Sequence, residues 1–239
     1  MQRYFALKES SLDNALLSQN DIFHISKVMR GKVGDEIEVI IDNKSYLALL
    51  ASFNPFKIEI LKENNEDSEL KYFTRLFFPL TKMEKIELVI QKATEIGIKE
   101  IVIYNSSRCI VKLDEEGFNK KLNRLKMIVK EASEQCHRLN IPEIKGIVPF
   151  KDIPNLNEEL NLVAYEADAG TTSSLDELLS NIHGGVNLIV GPEGGFSKEE
   201  ISYLSEHQYL RVPLGKRILR CETAAIYFAS VVSFYLEKN

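Results

Sequence analysis

"VNLIVGPEGGFSKEE", Val186 to Glu200, decides the fold class. Val186–Val190 read as a buried strand and Gly191-Pro-Glu-Gly-Gly195 as a turn, while Ser197 with Glu200 forms a capping box that opens a helix. The same succession runs outward in both directions. "YFTRLFFPL" is strand-like. "KIELVIQKATEIG" repeats its apolar residues at helical spacing, follows a second capping-box pattern at Thr81-Lys-Met-Glu84, and closes at Gly97. Next come the strand "EIVIYN" and a long amphipathic helix from about Gly117 to His137, which Pro142 ends. "EIKGIV" and "LNLVAYEA" are strands, and "SSLDELLSNI" is a helix with a Ser-x-x-Glu start at Ser174 and Glu177. The helix "KEEISYLSEH", the strand "YLRVPL" and the terminal helix "ETAAIYFASVVSFYLEK" complete the series. Strands alternating with helices predict an α/β domain over residues 73–239, its parallel sheet covered on both faces.

Residues 1–68 follow another rhythm. "RYFAL", "DEIEVIID", "SYLALLASF" and "FKIEILK" are short strands, with a hairpin-type turn at Asp42-Asn43. One or two short helices fit between Ser10 and Arg30. A small β-rich barrel is the expectation here, joined to the α/β domain by the polar linker "KENNEDSELK".

Composition narrows the function classes. The 239 residues are 44% hydrophobic and 27% charged, ordinary for a globular protein. No apolar run is long enough for a spanning helix, and the N-terminus lacks the pattern of a signal peptide, so no membrane partner and a cytoplasmic location are expected. Cys109, Cys136 and Cys221 lie far apart without ligand-type spacing, which points to reduced thiols and no metal site. The net charge of −5 argues against nucleic acid as a bulk partner, but phosphates respond to local clusters. Two exist: Lys27, Arg30 and Lys32, then Lys216, Arg217 and Arg220.

In open parallel sheets ligands sit beyond the carboxyl ends of the strands. Two such ends stand out, Gly191–Gly195 and Leu214-Gly-Lys-Arg-Ile-Leu-Arg-Cys-Glu-Thr223. The first lacks the lysine of a phosphate loop, and Pro192 and Glu193 break the dinucleotide glycine spacing. Glu193 would repel a polyphosphate, so a neutral or partly cationic ligand held by backbone groups is expected. Adenosine attached to a sulfonium amino acid meets that description. In the second loop, Ile218 and Leu219 offer an apolar wall to a flat base, and Glu222 suits the positive end of the last helix. A tight turn and a solvated basic loop are the plainer readings of the two stretches.

Together "LIVGPEGGFSKEE" and "LGKRILRCETA" resemble the paired signature of the RsmE family, S-adenosylmethionine-dependent ribosomal RNA methyltransferases of the SPOUT class. "QRYF", "HISKVMRGKVGDEIEV", "KMEKIELVIQKATEIGI" and "EASEQCHRLNIPEI" extend the resemblance over nearly the whole chain. Met29 stands where leucine is common, and Cys221 where threonine is expected. The resemblance implies a PUA-like β-barrel, then a SPOUT-type parallel sheet whose C-terminal part is tied in a trefoil knot. It implies a homodimer acting on N3 of a uridine in 16S rRNA of the small ribosomal subunit. S-adenosyl-L-methionine would be held by Gly191, Glu193, Gly194, Gly195, Leu214, Gly215, Ile218 and Leu219.

Uridine N3 is a weakly acidic imide nitrogen whose proton must leave before or during attack. Glu222 or a water is the candidate base, while Arg220 is the candidate for stabilising charge on O2 or O4. Arg3, Lys27, Arg30, Lys32, Gln135, Arg138 and Arg217 are the candidate RNA contacts, with His137 a weaker candidate base. Residues 1–70 hold eight Lys and Arg against twelve Asp and Glu, so an RNA-binding barrel must segregate its charge. Two alternatives remain open: methylation of another RNA position such as a ribose 2′-oxygen, and a non-catalytic RNA-binding assembly factor.

Overall fold

The computed structural model describes residues 1–65, 67–156, 158–165, 175–180 and 182–238. Ser174, expected to cap a helix, lies outside them. The chain forms two compact units, one of Met1–Glu69 with Ser133–Asn140, the other of Leu70–Ala132 with Ile141–Asn239.

The first unit holds β1 (Arg3–Phe5), α1 (Gln19–Phe23) continued by a π-helical turn to Val28, β2 (Glu36–Ile41), β3 (Lys44–Phe53) and β4 (Phe56–Asn64). Asp42 and Asn43 turn the β2–β3 hairpin with φ of 50° and 61°, the left-handed pair that a two-residue hairpin needs. The strands lie in the order β1-β2-β3-β4, β1 parallel to β2 and the rest antiparallel. Alternation places Ile37, Val39 and Ile41 with Tyr46, Ala48 and Leu50 in one core. β4 runs to Asn64, so "KEN" at the front of the expected linker is strand instead. Lys62 and Glu63 pair with Leu47 and Tyr46, because backbone pairing needs no apolar pattern.

Two expected RNA contacts are interior groups of this unit. Arg3 is 2% exposed, donates from Nε to Glu38 Oε2 at 2.9 Å, and reaches the carbonyl of His137. Arg138, equally buried, forms a bidentate pair with Glu69 at 3.2 and 2.7 Å. A phosphate could engage either arginine only by uncovering a buried carboxylate, which costs more than a surface contact returns. Their role is to fix Ser133–Asn140 within the unit. Lys27, Arg30, Lys32 and Gln135 are exposed, and His137 Nδ1 lies 3.2 Å from Glu38.

The second unit alternates strands and α-helices except at one step, where a 3-10 helix joins two strands: β5 (Thr74–Pro79), α2 (Met83–Ile96), β6 (Glu100–Asn105), α3 (Glu115–Gln135), β7 (Glu143–Pro149), the 3-10 helix (Phe150–Leu156), β8 (Leu160–Ala164), α4 (Leu175–Ser180), β9 (Val186–Ile189), α5 (Lys198–Glu206), β10 (Tyr209–Val212) and α6 (Cys221–Leu236). The last turn of α3 groups with the first unit. All six strands are parallel, in the order β10-β8-β9-β5-β6-β7. The period of two sorts their side chains between two cores. Leu76, Phe78, Ile101, Ile103 and Leu188 pack with residues of α2, α3, α4 and α6, whereas Phe77, Val102, Tyr104 and Ile189 pack with residues of α5. Each fully buried side chain of this size contributes about 1.5–3 kcal/mol. Successive strands build outward from β5 to β7 on one side and cross to β8, β9 and β10 on the other. The order therefore switches between β5 and β9, where an open α/β sheet leaves a crevice. Among the described residues no helix is long and apolar enough to cross a membrane.

Candidate cofactor cleft

The carboxyl ends of four strands supply one cleft of about 600 Å³ in the second unit. After β9, Val190 to Phe196 form one wall. After β10, Leu214 to Cys221 form the other, and Tyr165 after β8 and Arg108 after β6 also line it. Lys85 enters from α2. All eight residues expected at a cofactor, Gly191, Glu193, Gly194, Gly195, Leu214, Gly215, Ile218 and Leu219, line this cleft with Arg217 and Arg220. Gly195 and Gly215 have φ of 68° and 111°, and a Cβ added at either meets nothing within 4 Å. Glycine is there for backbone conformation, and the space above it stays open to a ligand.

The β9 loop is held from several sides. Tyr104 donates its hydroxyl to the Val190 carbonyl at 2.7 Å, and Arg108 Nη1 donates to the carbonyls of Gly194 and Phe196 at 3.0 and 3.1 Å. Ser197 caps α5 with Glu200 in the reciprocal box that the sequence spells. Thr81 departs from expectation. α2 is capped at Lys82 with no side-chain bond, and the Thr81 hydroxyl donates to Glu193 Oε1 instead. A carboxylate 112 residues away competes successfully for that hydroxyl, because a charged acceptor makes the stronger bond.

Lys85 is the residue that the loop motifs do not contain. Its Nζ lies 3.0 Å from Glu193 Oε1 and 3.1 Å from Glu222 Oε2. The bond to Glu193, and behind it the contact with Glu222, raises its pKa to about 12 against the pull of burial. Burial pushes Glu193 upward, but the Thr81 hydroxyl, its own backbone N–H and Lys85 hold it below the ordinary carboxylate range. Glu222 is likewise held low against burial, by its own backbone N–H, the Cys221 thiol and Lys85. Burial and the neighbouring Glu222 lift the Cys221 thiol to about 12. It therefore stays protonated and donates to Glu222 Oε2 at 3.2 Å, the task a threonine hydroxyl would perform there.

These contacts amend the argument from charge. A lysine does reach the loop, from another helix, but two carboxylates occupy it, as two carbonyls occupy Arg108. A polyphosphate would have to win these two cations from existing partners, which leaves the exposed Arg217 and Arg220 as the cleft's cations without such partners among the described residues. A ligand without phosphate, with a flat base against Leu214, Ile218 and Leu219, fits the groups present. Ile218 is 83% exposed, an apolar side chain with no covering of its own among the described residues. Nothing in the β9 motif pointed to Thr81, Lys85 or Arg108. The signal for Lys85 was its place in "KMEKIELVIQKATEIGI", noted above without a role.

A family model for the RNA methyltransferase domain matches residues 68–233. Ribosomal RNA small subunit methyltransferase E of Bacillus subtilis is 32% identical over 251 aligned residues, covering 99% of this chain and 98% of the relative. The chain belongs to the RsmE family. The homonymous protein of Buchnera aphidicola subsp. Schizaphis graminum is 35% identical over 88% of this chain and 86% of its own. Two solved structures extend the likeness to this RsmE fold. A putative methyltransferase from Legionella pneumophila, in complex with bound S-adenosylmethionine, is 31% identical with a TM-score of 0.87, covering 98% of this chain and 97% of that one. A ribosomal RNA small subunit methyltransferase E from Neisseria gonorrhoeae, bound to S-adenosylmethionine, is 27% identical with a TM-score of 0.85 over 98% and 97% of the two chains.

Proposed function

We propose that this chain is an S-adenosylmethionine-dependent methyltransferase acting on N3 of a uridine in 16S rRNA of the small ribosomal subunit. The observation that carries the reading is the cleft itself: open left-handed glycines, an apolar wall, and two of the four cations that line it among the described residues, Lys85 and Arg108, already bound to protein partners. The two similar structures solved with S-adenosylmethionine support that donor. The names of the relatives support the rRNA substrate, and the family resemblance supports the uridine N3 position.

Gly191, Glu193, Gly194, Gly195, Leu214, Gly215, Ile218 and Leu219 would hold the donor, which supplies a methyl already activated on sulfur. The chain then has to align the incoming nitrogen and manage its proton. Arg220, exposed at the cleft beside Arg217, is placed to stabilise charge on the uridine O2 or O4. Glu222 suits the base role poorly, since Lys85 and the Cys221 thiol already hold its carboxylate charged and occupied. The N3 proton therefore passes to water in this reading. Lys27, Arg30, Lys32, Gln135 and Arg217 remain the RNA-facing candidates, in a PUA-like first unit and a knotted second one. A homodimer working in the cytoplasm completes the proposal. The out-of-order strands β8, β9 and β10 and the family resemblance support the knot.

The test is methyl transfer from labelled S-adenosylmethionine to small subunits that lack the modification, with the product base mapped by mass. A methyl on uridine N3 is expected. A ribose methyl would move the chain to another RNA position, and no transfer despite donor binding would favour an assembly factor.

A further inference from the structure

Lys85, Glu193 and Glu222 come from three separate elements, and none was joined to another by the sequence. Lys85 stands in the first turn of α2, Glu193 in the β9 loop and Glu222 in the first turn of α6. Both carboxylates touch the same ammonium, so their contacting oxygens lie no more than about 6 Å apart. At that distance two unscreened carboxylates repel, and one proton or one cation between them removes the repulsion. The other groups set against the pair are the Thr81 hydroxyl on Glu193 and the Cys221 thiol on Glu222. Of the remaining cleft cations, Arg108 is bound to carbonyls, and Arg217 and Arg220 are exposed.

We propose that Lys85 is a positioning residue for the methyl donor: it ties the β9 loop to the start of α6 and thereby fixes the two walls of the cleft against each other. The proposal rests on the donor reading given above. Lys85 is free for this task because α2 does not need it for folding. Ile86, Val89, Ile90 and Ala93 anchor the helix in the core at 0–1% exposure, while the Lys85 side chain keeps 26%. Its two partners flank the glycine turn and the basic loop, so the separation it sets is the separation a ligand meets. In the intact cluster both carboxylates lie below their ordinary 4.5, so the tie is fully present above that value. It is lost only as pH falls through their lower folded values. Removing Lys85 reverses this dependence, because the uncompensated pair gains by taking up a proton.

The test is calorimetric titration of the full chain with S-adenosylmethionine, using wild type, Lys85→Met, Lys85→Arg and the double variant Lys85→Met/Glu222→Gln. At about pH 8, Lys85→Met is expected to lose about tenfold in affinity, recovering as pH falls toward about 5.5. Lys85→Arg should stay within about threefold of wild type, as it keeps the charge with a different fork. The double variant should recover affinity at high pH, since only one carboxylate remains. Wild-type affinity in Lys85→Met, or an equal and pH-independent loss in the single and double variants, would overturn the proposal. A wild type that binds no S-adenosylmethionine would instead overturn the donor reading. Carbon-13 titration of the glutamate carboxylates in the ligand-free protein separates the two failures: an unchanged profile in Lys85→Met removes the charge coupling itself.

Discussion

The two walls of the cleft are built on opposite plans. The β9 loop is held by Tyr104 at Val190, by Thr81 and Lys85 at Glu193, and by Arg108 at Gly194 and Phe196. Its own Gly195 N–H closes a turn on the Pro192 carbonyl at 2.8 Å. In the β10 loop, Gly215 to Ile218 are exposed. Among the described residues no side-chain bond holds Lys216, Arg217 or Arg220, and Arg220 caps α6 by backbone alone. A site built this way has one wall set before any ligand arrives and another with freedom to close. Order in the first lowers the entropy that binding must overcome, and slack in the second leaves a route in and out.

The largest expected effect falls on the loose wall. Arg220→Ala should lower methyl-transfer turnover by about 10²- to 10³-fold while donor affinity stays within about twofold, measured by single-turnover assay beside calorimetry. A loss in affinity of the same size would mean that the loop is set by Arg220 after all. Arg108→Ala attacks the fixed wall and frees two carbonyls at once. Donor affinity should fall about tenfold, and the Gly194–Phe196 amides should exchange toward the rate of those at Gly215–Leu219. Exchange that is already equal in wild type would erase the contrast between the loops. Gly191→Ala places a methyl 3.1 Å from two ring carbons of Phe196, tighter than packing tolerates. A destabilisation of about 1–3 kcal/mol in chemical denaturation is expected, since Phe196 is buried and its carbonyl is tied to Arg108. Ser197→Ala should cost about 1 kcal/mol, the value of one capping bond, with turnover unchanged.

The sequence was most legible where local chemistry decides the outcome. The Asp42-Asn43 hairpin, the capping box at Ser197 and the closing Gly97, with φ of 101°, each depend on residues within four positions of one another. The parallel sheet followed from strand and helix alternation, and the cofactor candidates all line one cleft because strand ends of such sheets converge. Local rules failed where a distant partner offered more. Thr81 had the spelling of a cap and became a donor to Glu193. Arg3 and Arg138 had the spelling of phosphate contacts, but Glu38 and Glu69 claimed them inside the first unit. Lys62 to Asn64 looked like linker because a strand edge needs only its backbone to pair. Lys85 stayed hidden for the same reason, since 108 residues separate it from Glu193 and no period spans that gap.

The first unit is discontinuous: it borrows Ser133–Asn140, and two interior arginine contacts depend on the loan. This gives the fold a chronology. When residues 1–69 have left the ribosome, Glu69 still waits for Arg138, and Arg3 for the His137 carbonyl. The amino-terminal sheet can collapse early, but its charged interior is completed only after about 70 further residues have been made. A fragment ending at Glu69 would strand a carboxylate and a guanidinium in half-built surroundings. Any attempt to cut the chain into its two units has to carry the later segment along, by a graft or a reordered chain.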